Sequence, residues 1–399
     1  MGALLLDMSK AFDTVSHQQL LNDLSSIGCG SSVINWFYSY LAHRSQRVRV
    51  QDSDTPWKEV SRGVPQGSCL SPLLFNIFVR DLPNNSESST LQFADDTSLS
   101  EADKSLDVIK EKLSNSYLSI KAYCDSRGLV LNPEKTQFIV FKSTGRRVPE
   151  DLTITLENHT LKPEKAVRLL GFNLDQHLTW GKQVDSVVSV CNGTLGILRR
   201  AAKLLPVALL RMMYIALVRS HLEYCSALYA GTAKTHLEKL DVIQRKAARI
   251  ILGAPHDAHS EPLLNTLRLQ SLQSRREAHI IKLVTAIVSD QCHPGLNSLF
   301  SINLEGTVSV PTSRTAMGRR RFNVIGAALY NNQDSSNSMQ GSQSHREACI
   351  STSCIIRAGP SQCMCQLMSA APHSAGKETV CIKKDCPSRQ CRPAIIVSK

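Results

Sequence analysis

The chain has 399 residues, with 46 Lys and Arg against 34 Asp and Glu, a formal net charge of +12 and 42% hydrophobic residues. That length suggests about two or three domains, and the apolar content is enough for a sizeable core, which excludes a chain that is disordered throughout or a small disulfide-stapled domain. The opening apolar run is too short and lacks the basic flank of a secretory signal, and no apolar run approaches the roughly 18 residues of a membrane span. The expectation is an intracellular chain, nuclear or cytoplasmic, with no membrane and with nucleic acid as the anionic partner.

In chain order, Gly2-Ala3-Leu4-Leu5-Leu6 suits a buried strand that ends at Asp7. Ser16-His17-Gln18-Gln19 has the capping-box pattern; Leu20, Leu21, Leu24 and Ile27 follow at helical spacing, and Gly28 supplies the stop. Val33, Ile34, Phe37, Tyr40 and Leu41 mark a second helix. Residues 46–51 alternate Val48 and Val50 with Arg47 and Arg49, as in a half-exposed basic strand. Residues 63–71 form a turn-rich loop that feeds an apolar helix over 72–79. Alternating residues at 91–93 and 97–99 flank Asp95-Asp96 and predict a hairpin. An amphipathic helix is expected over about 105–127, and 138–141 and 167–174 read as two further strands. This mixture predicts an α+β sheet domain up to residue 176.

Beyond it the pattern turns helical, over 184–205, 207–220 and 236–252. The last of these places Leu237, Leu240, Ile243, Ala247 and Ile250 on one face and Lys239, Arg245, Lys246 and Arg249 on the other. From Arg199 to Arg249 there are ten Lys or Arg against three acids, a bias suited to a phosphate backbone. Six of the 13 cysteines are scattered through residues 1–348 and read as ordinary buried thiols. The other seven crowd into the last 51 residues, behind a polar stretch from Asn331 to Ser344 that reads as a linker. No C-x2-C pair occurs in that tail, so it is expected to be disordered and basic rather than a zinc module.

Three acids stand where apolar segments end at turns: Asp7 after the first strand, and Asp95 and Asp96 at the hairpin tip. Carboxylates gathered in one cleft repel unless cations neutralise them, and such oxygen-rich sites suit Mg²⁺ or Mn²⁺. Two ions can activate a 3′-hydroxyl and stabilise a leaving pyrophosphate.

The wording around these acids is specific. The segment from Leu6 to Asp13, LDMSKAFD, resembles the first palm motif of reverse transcriptases. GVPQGSCLSPLLF from Gly63 to Phe75 resembles the second, and Phe93-Ala94-Asp95-Asp96 resembles the aspartate box of non-LTR retrotransposons. GLVLNPEKT from Gly128 to Thr136 is similar to the fourth motif, and LLGFNLD from Leu169 to Asp175 to the primer-grip segment. The five occur in the family's order. Segments from Tyr214 to Arg276, and again from Arg314 to Tyr330, resemble the thumb and closing part of jockey-like elements.

The resemblance implies an α+β reverse-transcriptase palm, an antiparallel sheet packed on helices, over residues 1–176. A helical thumb over 177–330 and a disordered Cys-rich tail over 331–399 would follow it. It implies RNA-directed DNA polymerisation with two Mg²⁺ or Mn²⁺ ions, an RNA template, a DNA primer and deoxynucleoside triphosphates. Asp7, Asp95 and Asp96 would hold the metals. Phe12 would be a steric gate under the incoming sugar, Gln66 and Gly67 would line the nucleotide pocket, and Lys135 would place a proton or positive charge at the pyrophosphate. Arg245, Lys246 and Arg249 would contact nucleic acid. The chain begins six residues before Asp7, so the fingers and endonuclease regions that the resemblance would place upstream are expected to be missing. The expectation is a truncated, element-derived reading frame, and the alternative to a polymerase is a non-catalytic nucleic-acid-binding remnant.

Overall fold

A computed structural model describes residues 1–47, 49–50, 53–303 and 307–337. These form two compact units, the first covering Met1–Lys165 and the second beginning at Ala166.

Strand β1 (Gly2–Leu6) is the spine of the first unit. It pairs antiparallel on both sides, and Ala3, Leu4 and Leu6 are all buried, so both of its faces are covered and an unbroken apolar run suits the position. The sheet also holds β2 (Ser89–Phe93), β3 (Asp96–Glu101) and β4 (Gln137–Val140), in the order β4-β1-β3-β2. The registers Leu4↔Leu99 and Leu4↔Phe138 put large apolar side chains side by side at the centre. Glu164 N–H donates to the Phe138 carbonyl (2.7 Å), so the outer edge of β4 is partly paired.

Helix α1 (Leu106–Arg127) packs across this sheet through Ile109, Leu113, Tyr117, Ile120 and Cys124. Ser105 caps it by accepting from Asp107 N–H, and Gly128 closes it at φ 71. A side chain at Gly2 would meet Ile109 at 2.6 Å, so glycine there permits the close approach of helix to strand. Burial raises the Cys124 thiol to about 12, as befits an inert core cysteine. Cys69 departs from the expectation of buried thiols: it is exposed on its loop.

The helix His17–Ser26 is capped by Ser16. Only half of the expected capping box forms, because the Gln19 side chain donates to the Ser126 carbonyl at 3.0 Å instead of turning back. The helix Ser31–Leu41 buries Leu41 and leaves Val33, Trp36 and Tyr38 exposed. The basic strand expected over 46–51 is divided between two short ladders, Ser45–Gln46 with Lys58–Glu59 and Arg49–Val50 with Ser53–Asp54. Val48 and Gln51 lie outside the described residues.

The second unit opens with a hairpin. The single strand expected over 167–174 is a hairpin, Ala166–Leu169 paired with Phe172–Asp175. Leu170 (φ 48) and Gly171 (φ 81) make the reversal, as in the tight turns that suit twisted strands. The primer-grip-like segment is this hairpin. The Asp175 carboxylate then accepts from the backbone N–H groups of His177, Thr179 and Trp180, starting the helix Gly181–Ala201 three residues earlier than expected.

Helices Val207–Tyr214, Lys234–Leu252 and Leu272–Val288 follow. The last described helix, Phe322–Asn337, overrides the expected linker at its start. Asn331 accepts from Val308 N–H (3.0 Å) and donates to the Val308 carbonyl (2.8 Å), so this polar residue is part of the packing. The Cys-rich tail from residue 338 lies outside the described residues. Among the described residues, no helix is long and apolar enough to cross a membrane.

Candidate active site

The first unit brings the three acids to one end of its sheet. Leu6 pairs with Thr97, so the next residue on each strand, Asp7 and Asp96, comes together where β1 and β3 part. Phe93 pairs with Asp96, which leaves Ala94 and Asp95 as a two-residue turn. Ala94 takes φ 54, a conformation that a side chain disfavours. The tip is therefore a strained bend that carries two consecutive carboxylates.

The electrostatics report the crowding. The Asp96 carboxyl is raised above its ordinary value, first by loss of solvent around it and then by the negative charges of Asp95 and Asp7. Its side chain still reaches solvent. The contribution from Asp7 shows that residues 89 positions apart in sequence share one field. The carboxylates are neighbours but not a preformed chelate: among the described residues, no group of three or more His, Cys, Asp or Glu side chains is drawn together tightly enough to hold a metal. Their chemistry, all hard anionic oxygen, is of the kind that suits a hard divalent cation.

Lys135 brings a positive charge to the same place, with its Nζ 3.6 Å from Asp7 Oδ2. The backbone sets this contact. Asn132 N–H donates to the Asp7 carbonyl (2.8 Å), and Met8–Ser9 pairs with Val130–Leu131, which delivers the Gly128–Thr136 segment to Asp7.

Phe12 lies just beyond, its ring stacked on Phe75 with centroids 4.4 Å apart. Phe75 belongs to the helix Ser71–Phe78, whose Leu74, Phe75 and Phe78 are fully buried. The loop before that helix is clasped to the Phe12 segment by Gly63 N–H to the Val15 carbonyl and Val64 N–H to the Phe12 carbonyl, each 2.8 Å. Gln66 and Gly67 are exposed on the loop, with Gly67 at φ 83. Gln66 Nε2 donates to Asp13 Oδ1 at 2.8 Å. Sequence reading did not single out Asp13, although it is the last residue of the first motif.

The basic residues expected to touch nucleic acid lie in the second unit, on the helix Lys234–Leu252, and they are not equivalent. Arg245 is engaged with Glu238. Arg249 donates twice to the Ala258 carbonyl, at 3.1 and 2.9 Å. Lys246 is exposed. The apolar face of this helix packs as expected through Leu240, Ile243 and Ala247, with Gln244, Ala248 and Ile251 also buried.

Comparison with known proteins adds the following. Residues 2–174 match the family model described as reverse transcriptase (RNA-dependent DNA polymerase). The chain is 26% identical over 289 residues to a probable RNA-directed DNA polymerase from transposon BS of Drosophila melanogaster, an alignment covering 70% of this chain and 32% of that protein. It is 24% identical over 280 residues to the RNA-directed DNA polymerase from mobile element jockey of the same species, covering 67% and 30%. Over 173 residues it is 34% identical to a retrovirus-related Pol polyprotein from the type-1 retrotransposable element R2 of Popillia japonica, covering 40% and 28%. The chain thus spans about a third of the length of these relatives.

Proposed function

We propose, from the match of residues 2–174 to the reverse transcriptase (RNA-dependent DNA polymerase) model and the likeness to non-LTR retrotransposon polymerases, that the chain is a member of that family and acts as an RNA-directed DNA polymerase. It would extend a DNA primer on an RNA template, transferring nucleotides from deoxynucleoside triphosphates to the primer 3′-hydroxyl. The observation that carries this reading is the convergence of Asp7, at the end of β1, with Asp95 and Asp96, at the tip of the β2–β3 hairpin, which the Leu6↔Thr97 and Phe93↔Asp96 registers impose.

On this reading, Asp7, Asp95 and Asp96 hold a pair of Mg²⁺ or Mn²⁺ ions. Such ions, when bound, neutralise charge on the attacking 3′-oxygen and the leaving pyrophosphate. Phe12, braced by Phe75, stands under the sugar and leaves no room for a ribose 2′-hydroxyl. Gln66 and Gly67 line the nucleotide pocket, where the absence of a side chain at Gly67 permits close backbone approach. The Lys135 ammonium, within reach of Asp7, supplies a proton or positive charge to the departing pyrophosphate. The helices after residue 177 act as a thumb on the nucleic-acid backbone, with Lys246 making the phosphate contact and Arg245 and Arg249 shaping the surface around it.

The net charge of +12 and the exposed Lys246 on the basic helix Lys234–Leu252 also fit the alternative, a nucleic-acid-binding remnant without chemistry. Primer extension on an RNA template separates the two. The polymerase reading expects synthesis by the unaltered chain and none by Asp95→Ala. The remnant reading expects salt-sensitive RNA binding with no synthesis from either.

A further inference from the structure

We propose that the outer face of the helix Ser31–Leu41 is a stacking platform for unpaired bases of single-stranded RNA, with Trp36 as the residue that meets a base. The inference rests on the reading that RNA is the chain's partner, and it names a contact apart from the acid cluster.

This helix carries two apolar stripes. Ile34, Phe37 and Leu41 pack against the core of the first unit. Val33, Trp36 and Tyr40, at i, i+3 and i+7, form a second stripe on the adjacent face. Val33 and Trp36 are left in water, with Trp36 53% exposed, although Trp is buried in most settings and Trp180 in the second unit is. The exposed indole is held in place. Trp36 and Tyr40 are stacked, with centroids 5.5 Å apart and planes at 6°, and Phe37 meets Trp36 edge-on with centroids 5.0 Å apart. Tyr40 Oη donates to Ser68 Oγ (2.7 Å), which also accepts from Leu70 N–H (3.2 Å). The stack is thereby tied to the loop that carries Gln66 and Gly67, and a ring fixed in advance loses little freedom when a ligand lands on it.

Charge selects the occupant. From Ser31 to Gln51 the sequence has three Arg and no acid. The return segment is mixed, with Asp52, Asp54 and Glu59 against Lys58 and Arg62, so the bias belongs to the segment that carries Trp36. The register Gln46↔Lys58 sets Arg47 opposite Trp57, and the guanidinium lies 4.7 Å from the centroid of that ring, itself 62% exposed. Aromatic faces interleaved with cations take bases by stacking and phosphates by charge. Aromatic and Arg side chains also anchor protein partners, but an acid-free stretch in a chain of net charge +12 favours a polyanion. A duplex hides the faces of its bases, so the platform selects unpaired ones.

The test is binding of the full chain to a labelled single-stranded RNA of about 12 nucleotides, and to the same RNA annealed to its complement, by fluorescence anisotropy. Trp36→Ala should weaken single-strand binding by about tenfold and leave duplex binding within about twofold. Trp36→Phe, which keeps a ring, should recover most of the loss. Intrinsic fluorescence gives a second readout. The chain has three Trp, of which Trp180 is buried, so in Trp57→Phe the single-stranded RNA should quench the signal of Trp36. Equal loss on both RNAs, no loss on either, or no quenching would overturn the inference. So would self-association of the unaltered chain that Trp36→Ala abolishes, since a second copy would then cover the face. Failure of the unaltered chain to bind RNA at all would overturn the RNA reading together with this inference, whereas RNA binding indifferent to Trp36 overturns the inference alone.

Discussion

Lys135 Nζ lies 3.6 Å from Asp7 Oδ2, so the one carboxylate supplied by the first strand is paired with a cation from a segment more than a hundred residues downstream. Both groups reach solvent, and exposed ion pairs are worth about 0–1 kcal/mol. The pair is therefore weak enough to yield to a divalent ion. Lys135→Ala should tighten Mn²⁺ binding, measured by electron paramagnetic resonance, by up to about fivefold, while slowing primer extension. Weaker Mn²⁺ binding in the variant would show that Lys135 supports the carboxylates rather than competing for them.

Asp96 carries a stability consequence with a definite sign. Its folded-state pKa is raised above the unfolded value, so the folded chain binds this proton more tightly. Stability then falls as pH rises through the window between the unfolded and folded values, and the ionised form is a net cost at neutral pH. Asp96→Asn should raise the melting temperature at pH 7 by about 1–3 °C, with the advantage shrinking under acid conditions where Asp96 is protonated. The same substitution should abolish synthesis. A melting temperature that falls at pH 7 would contradict the crowding of Asp7, Asp95 and Asp96.

The two glycines that flank Gln66 should respond differently to alanine. Gly63 has both a positive φ of 86 and the Asp13 backbone within 2.7–2.9 Å of a would-be side chain, whereas Gly67, at φ 83, has open space. Gly67→Ala incurs backbone strain alone, about 1 kcal/mol, while Gly63→Ala must also force the two motifs apart, for about 3 kcal/mol or more. Chemical denaturation distinguishes them. Equal effects would mean that the clasp between the motifs is not the tight contact described.

On the helix Lys234–Leu252, charge and structure separate by residue. Lys246→Ala should leave the melting temperature unchanged and reduce the salt dependence of RNA binding by about one unit of slope. Arg249→Ala should lower the melting temperature, since two hydrogen bonds to the Ala258 carbonyl go with it. Fluorescence anisotropy across a salt series, paired with thermal melts, checks both. A larger binding loss from Arg249→Ala than from Lys246→Ala, with no loss of stability, would reverse the assignment.

Where local pattern and burial agree, the chain was readable from its residues. The apolar run Gly2–Leu6 is the doubly paired central strand, and the alternation around Asp95-Asp96 is the hairpin that presents them. The places that were missed share a cause, in that tertiary contacts or very short elements carry the information. Leu170-Gly171 reverses the chain inside what looks like one apolar strand. The strands Ile154–Leu156 and His159–Leu161 are too short for a periodic signal. Asn331 looks like linker until its amide is seen to bond both backbone groups of Val308. Gln66 and Asp13 were each in view as members of motifs, but nothing in one dimension pairs two polar residues 53 positions apart. Among Arg245, Lys246 and Arg249 a count of charges makes no distinction, whereas the structure engages Arg245 with Glu238 on the same helix and Arg249 with the Ala258 carbonyl on another segment.

The most direct measurement of the central claim asks whether Asp7 and Asp95-Asp96 meet at one divalent ion. Fe²⁺ bound in place of Mg²⁺ generates hydroxyl radicals that cut the backbone beside it, and sequencing the fragments of the full chain maps the ligands. The expected result is two localised sets of cuts, one around Asp7 and one around residues 94–96, competed away by Mg²⁺ and lost together in Asp95→Ala. Cuts at only one of these places, or a pattern that survives Asp95→Ala, would contradict it.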